Sequence, residues 1–234
     1  MAARLRSEYL FLIVPILNPD GVFNGNNRMD ALGQNLNRFY HLPDLQKQPS
    51  CYAIKLLVES TRKQIFAFFD LHGHGNKKSC FLYGNSIPLT RLQGESILFA
   101  KLLSQNCEEI EFNSCNFSKK HMSSKDRNED MSKEGCARVV VHRWTSSPYC
   151  YTLETGLHKN VKVDDKGIER YGEDFYSIKT YQSIGVKMLT TFHQMLQKNK
   201  KIEDLRKEMI VYAGKLEKIS SKSKDINSEG EKKK

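Results

Sequence analysis

Apolar residues gather into short runs whose period changes along the chain, with polar stretches marked by glycine and proline between them. Residues 9–17 form a near-continuous apolar run of buried-strand length. Asn18-Pro19-Asp20-Gly21 ends it as a turn, Pro fixing φ and Gly permitting positive φ. Ile54, Leu57 and Val58 recur at helical spacing within 53–63. The run 65–69 predicts a second strand that delivers His72, and 81–83 a short third one. Residues 89–105, with Leu92, Ile97, Leu98, Leu102 and Leu103, read as a helix, and the β-branched run 137–141 as a further strand. The strongest amphipathic helix is 175–197, carrying Tyr181, Ile184, Met188, Leu189, Phe192, Met195 and Leu196 on one side. This alternation predicts an α/β fold, a mixed central sheet flanked by helices. Ligands in such sheets collect outside the carboxyl ends of the strands.

Two stretches stand apart from that pattern. Residues 119–134 have almost no large apolar side chain and mixed charge, which predicts a mobile surface loop. Ile202, Leu205, Met209, Tyr212, Leu216 and Ile219 recur every three or four residues, a short heptad-like seam weakened by Gly214. That seam predicts a surface or partner-docking helix over 202–219, with disorder over 220–234. The organisation expected is therefore one domain over 1–197 and a basic helical, then disordered, tail over 198–234.

Composition narrows the classes. With 234 residues and 39% hydrophobic content the chain can bury one good-sized core. No run approaches the roughly 18 to 20 apolar residues that span a bilayer, so no membrane partner is expected. Arg4 and Arg6 before an apolar run superficially resemble a signal peptide, but the run leads into Asn18-Pro19-Asp20 and not into a small-residue cleavage site. The six cysteines are scattered without a CxxC pair, which suits thiols in a reducing cytosol. The net charge of +10 suits an acidic partner. From Lys198 onward stand twelve basic and seven acidic residues, so about half the excess lies in the tail. With no interleaved aromatics and no nucleic-acid motif, a nucleic-acid partner is not expected.

The candidate chemistry sits at three places. Residues 17–38 place Arg28, Asn37 and Arg38 on one irregular stretch, where two guanidinium forks and a neutral amide could hold a carboxylate; the plain alternative is a polar surface loop. His72 follows the strand of 65–69. His74 competes with it as a same-face residue if the strand continues, which Gly73 opposes. Asp70 could orient a nitrogen of His72 or pair with an arginine. Glu154 lies in the apolar setting of 151–157, where a carboxylate needs a partner, a raised pKa or an open cleft.

These places occur in a fixed order, with the wording PILNPDGV, GNNR, LNR, DLHGH, Tyr83-Gly84, SKEGCARVVV and YTLET. The chain thereby resembles the zinc metallocarboxypeptidases, and among them the cytosolic carboxypeptidases that trim glutamates, from about Phe11 to Met195. The resemblance implies a carboxypeptidase-like catalytic domain and a zinc cofactor. His72 would be a zinc ligand, Glu154 the general base and proton shuttle, and Arg28 the oxyanion partner. Asn37 with Arg38 would clamp the terminal carboxylate. Arg138, sixteen residues before Glu154, falls where the family shapes its specificity pocket; a cation there would select a C-terminal glutamate. An edge-strand arginine in solvent is the plain alternative for Arg138, and Arg143 competes for the role.

The family pattern also includes a His and a Glu three residues apart ahead of NPDG, as two further zinc ligands. No His precedes Leu17, and His41-Leu42-Pro43-Asp44 lies on the wrong side of the Asn-Arg pair. The expectation is one zinc ligand here and two upstream, with the first elements of the catalytic domain upstream as well. A further departure is Asn35, where the family has Asp, which bears on the surrounding hydrogen-bond network. The function expected by resemblance is removal of C-terminal residues, glutamate foremost, from acidic tails such as those of tubulin. The setting would be cytoplasmic, with microtubule or cilium association. The alternative is a catalytically inactive short form that binds acidic C-terminal tails.

Overall fold

The computed structural model describes residues 2–61, 64–75, 79–125, 131–157, 161–163, 169–171 and 175–231, with backbone alone for 161–163, 169–171 and 219–231. In chain order the elements are α1 (Ala2–Glu8), α2 (Pro19–Phe23), α3 (Pro49–Thr61), β1 (Ala67–His74), β2 (Phe81–Tyr83), α4 (Thr90–Asn106) and α5 (Lys119–Ser123). Then follow α6 (Ala137–Thr145), β3 (Tyr149–Gly156), β4 (Val161–Val163), β5 (Glu169–Tyr171), α7 (Ile178–Met195) and α8 (Lys200–Glu231).

The main sheet has the order β1-β3-β2. β1 runs parallel to β3, with Ala67 opposite Tyr149 and His72 opposite Glu154. β2 runs antiparallel to β3, with Phe81 opposite Glu154. β4 and β5 form a separate antiparallel pair. The sheet is thus mixed, with helices on both faces, in agreement with the α/β expectation.

Strand alternation sorts the two faces. Phe69, Tyr149, Tyr151 and Leu153 pack into the larger core with Leu98, Phe99 and Leu103 of α4 and Phe192 of α7. Phe99 stacks on Phe192 with centroids 3.9 Å apart, and Phe69 meets Tyr151 at 5.5 Å. The other face carries Phe68 and Cys150, which pack beneath Val58 of α3 and Val141 of α6. Asp70, His72, Thr152 and Glu154 share that second face by alternation.

Several elements differ from the sequence reading. Residues 9–17 are neither strand nor buried: Leu10 is 83% and Ile13 80% exposed, and no ladder partner joins them among the described residues. Asn18-Pro19-Asp20-Gly21 is no open turn. Asn18 caps α2 by accepting from the Gly21 N–H at 3.0 Å, and Pro19 takes the first helical position. The left-handed glycines of this loop are Gly25 and Gly33. The run 137–141 is helix α6, with all five of its residues buried and the Ala137 N–H at its start met by Asn37 Oδ1 at 2.9 Å. Within the expected surface loop, α5 and a 3-10 turn at Lys133–Gly135 are ordered and tied by Lys133 N–H to Ser124 O at 3.0 Å; residues 126–130 lie outside the described residues.

The tail differs most. α8 continues through 220 to Glu231, where disorder was expected. Part of its apolar stripe docks within the chain: Ile202 and Met209, with Ala213, are buried in the α4 core, while Tyr212 and Leu216 are 40% and 37% exposed. Gly94 of α4 makes the close crossing possible, since a Cβ there would lie 2.6 Å from Ile210 Cγ1. Arg206 Nε pairs with Glu95 Oε1 at 2.8 Å across the same contact. No helix among the described residues is long and apolar enough to cross a membrane.

Candidate active site

Parallel pairing of β1 and β3 puts their carboxyl ends side by side, and that register sets His72 directly against Glu154. β1 does continue to His74, against the expectation from Gly73, so His72 and His74 share a face. They separate by contact: His74 packs edge-on against Phe81 at 5.1 Å, and His72 faces the carboxylates. Asp70 Oδ2 lies 2.8 Å from His72 Nε2, and Glu154 Oε1 lies 3.9 Å from Nδ1. Of the two readings for Asp70, the structure selects the ring-orienting one.

Burial pulls the His72 pKa down, and the hydrogen bond and charge of Asp70, with the charge of Glu154, more than offset it, so the net direction is up. For Glu154 burial raises the pKa; His72, Arg138 and Arg28 pull it back without cancelling the rise. The rise makes the Glu154 carboxylate a stronger proton acceptor than an exposed glutamate.

Asn37 connects this pair to α6. Its Oδ1 accepts from the Ala137 N–H at 2.9 Å, and its Nδ2 lies 3.2 Å from His72 Nε2. The helix itself has no side-chain cap on Cys136, so Asn37 supplies one from a hundred residues away. Arg38 is buried, with Nη1 donating to Asn37 O at 2.6 Å. Gly135 lets that segment approach, since a Cβ there would lie 2.2 Å from Arg38 O. Arg28 is exposed and acts on His72 and Glu154 through its charge. Other amides of the loop are engaged in closing it: Asn18 Nδ2 donates to Met29 O at 3.1 Å, and Asn26 Nδ2 to Asp30 O at 3.1 Å.

Arg138 is no solvent-facing strand residue. It sits on the first turn of α6, 3% exposed, with Nε donating to Gly84 O at 3.1 Å and Nη1 3.3 Å from Cys136 Sγ. Its charge reaches both Glu154 and Tyr83, and its guanidinium carbon stands 5.7 Å from the Tyr83 ring centre. Arg143, its competitor, is half exposed and pairs with Glu134 at 3.3 Å. The structure thus brings His72, Glu154, Asn37 and Arg138 to one end of one sheet face. Arg38 lies behind Asn37, bonded to its carbonyl, and Arg28 is the exposed cation within reach of the His72 and Glu154 charges.

Sequence reading missed Asn85 and His121. Asn85 Nδ2 donates to Arg138 O at 3.1 Å and Cys150 O at 3.2 Å, tying α6 to β3 under the site. Its position just after Tyr83-Gly84 was the available signal. His121 stacks on Tyr83 with centroids 4.1 Å apart, from a stretch with no apolar pattern to mark it.

Among the described residues no group of three His, Cys, Asp or Glu could hold an ion. The described side chains do not by themselves form a zinc centre, which normally takes three protein ligands.

The architecture is that of a metallocarboxypeptidase domain. A metallo-carboxypeptidase from Burkholderia cenocepacia matches with a TM-score of 0.59 at 22% identity, covering 77% of this chain and 43% of its own. One from Pseudomonas aeruginosa, in complex with (2-guanidinoethylmercapto)succinic acid, matches at 0.59 and 22%, covering 78% and 45%. No family profile matches the chain. Cytosolic carboxypeptidase 1 of Danio rerio is 34% identical over 197 residues, 74% of this chain and 16% of that protein. Its Gallus gallus counterpart is 33% identical over 198 residues. Cytosolic carboxypeptidase-like protein 5 of Danio rerio is 27% identical over 261 residues, 70% of this chain and 30% of that protein. The chain belongs to the cytosolic carboxypeptidase family, and it spans well under half the length of these relatives.

Proposed function

We propose that the protein is a zinc-dependent metallocarboxypeptidase that removes C-terminal residues, glutamate foremost, from acidic protein tails such as those of tubulin. It would act in the cytoplasm, at microtubules or cilia. The observation that carries this reading is the register pair His72 and Glu154, flanked by Asn37 and Arg138 at the carboxyl end of one sheet face. Glu154 takes the proton of the attacking water and returns it to the leaving amine. Asn37 and Arg38 hold the terminal carboxylate, Arg28 meets the developing oxyanion, and Arg138 receives a glutamate side chain. Zinc, when bound, would polarise the water and the scissile carbonyl, with His72 as its ligand from this chain.

A second reading rests on one observation, the lack of a three-donor group among the described residues. On it, the protein binds acidic C-terminal tails through Arg28, Asn37, Arg38 and Arg138 without cleaving them. Peptides ending in glutamate or leucine, offered to the natural protein with zinc quantified in the same sample, separate the two. Release of free glutamate with about one zinc per chain supports catalysis. Selective binding of the glutamate peptide without zinc or release supports the second reading. Equal treatment of both peptides, or an unchanged preference in Arg138→Ala, would overturn the glutamate assignment.

A further inference from the structure

The Arg138 guanidinium does not choose its own direction. Nε donates to Gly84 O at 3.1 Å and Nη1 lies 3.3 Å from Cys136 Sγ, so two of the three guanidinium nitrogens are held by neighbouring groups. The outer edge faces α5, where Nη2 lies 3.5 Å from His121 Nδ1. The ring of His121 is itself held flat on Tyr83, centroids 4.1 Å apart and planes 29° apart. Tyr83 in turn meets Phe81 edge-on at 5.1 Å, and Phe81 stands in register with Glu154. One row of rings thus leads from the strand position beside Glu154 to the outer edge of Arg138.

His121 is placed there by local structure. Ser118 caps α5 by accepting from the His121 N–H at 3.2 Å. The helix is then tied down by Ser132 Oγ to Ser123 O at 3.3 Å and Lys133 N–H to Ser124 O at 3.0 Å. The stack on Tyr83 brings this side chain of a five-residue helix over the buried arginine. What it supplies is an acceptor and a flat face: Nδ1 can accept from Nη2, and the ring covers the tyrosine against which the guanidinium lies.

We propose that His121, stacked on Tyr83, is a positioning residue that aims the Arg138 fork and thereby sets the preference for an acidic C-terminal side chain. The inference rests on the reading of Arg138 as the glutamate-selecting cation. Arginine recognises a carboxylate through two parallel N–H bonds, so its selectivity depends on the angle of the fork and not on its charge alone. Removing the outer support leaves the charge in place and frees the angle.

Two variants separate the acceptor from the stack. His121→Phe keeps the ring on Tyr83 and removes Nδ1; His121→Asn removes the ring and keeps an acceptor at nearly the same place. The readout is the ratio of affinities for two otherwise identical acidic peptides ending in glutamate and in leucine, measured by fluorescence anisotropy with the full chain. In His121→Phe the ratio should fall about tenfold, the order of a lost hydrogen bond to a charged group, and in His121→Asn it should return to within about threefold of wild type. Thermal denaturation of each variant shows whether the fold is kept. If the wild-type ratio is large and Arg138→Ala abolishes it while His121→Phe leaves it unchanged, His121 is a packing residue and the inference fails alone. If the wild-type ratio is already near one, the Arg138 reading fails and takes this inference with it.

Discussion

At the residue scale the central fact is a carboxylate held where it is uncomfortable. Burial raises the Glu154 pKa, so the folded protein holds that proton more tightly than the unfolded chain does. The sign follows: stability declines as pH rises from the unfolded value, about 4.3 for a glutamate, through the raised folded value, and the full penalty stands above both. Glu154→Gln removes the ionisation but keeps the shape. The variant should melt roughly 2 to 4 °C higher at pH 7.5 than wild type, with no gain at pH 4, and should release no glutamate from any peptide. Calorimetry at the two pH values checks it; a lower melting temperature at pH 7.5 would mean that the carboxylate is a structural ion-pair partner. His72 and Glu154 were picked out in the sequence by the DLHGH and YTLET wording, since an ionisable residue at the end of an apolar run is by itself an ordinary strand-end residue. The burial of Arg138 was not legible, since it depends on Tyr83 and Gly84 at the end of β2 meeting the first turn of α6 across more than fifty residues of chain.

At the element scale, helix α6 shows where local pattern and tertiary context part. Three consecutive valines favour a strand by side-chain stiffness, and a few tenths of a kcal/mol per residue oppose the helix. Burial of residues 137–141 on all sides outweighs that, and Asn37 Oδ1 satisfies a free N–H at the helix start. Neither influence is local, so neither can be read from the run itself. Asn37→Ala should cost about 1 kcal/mol in urea denaturation, the usual loss for a helix cap, and should weaken peptide binding in parallel. Gly135 offers a second check, because its missing Cβ is what allows the Arg38 backbone to pass. Gly135→Ala should lower stability by roughly 1 to 3 kcal/mol through overpacking and shift the Asn37 amide resonances. An unchanged urea midpoint would show that the crossing is looser than 2.2 Å allows.

The whole molecule adds what no single element shows. The α8 seam was legible as an apolar stripe, yet its destination was not: period alone cannot tell a face for α4 from a face for another chain, and Gly94 settles it through one close crossing. The opposite case is 9–17, apolar enough for a buried strand but exposed along most of its length, since a strand needs a neighbour's ladder and not only its own hydrophobicity. Val14, Ile16 and Leu17 line a recess of about 250 Å³ with Pro19, Ala53, Ile54 and Leu57, so this segment and α3 make one continuous apolar surface. Surfaces of that kind drive association in water, and a net charge of +10 opposes it by repulsion between copies. The two effects separate by salt. Screening weakens the repulsion and leaves the apolar attraction, so the purified chain should move toward larger species in sedimentation velocity as ionic strength rises from about 0.05 to 0.5 M. Leu10→Lys with Ile13→Lys should remove that trend while leaving the α4–α8 core intact by circular dichroism. Association that instead weakens with salt would mean that the attraction is between charges, and the apolar surface would then have no part in it.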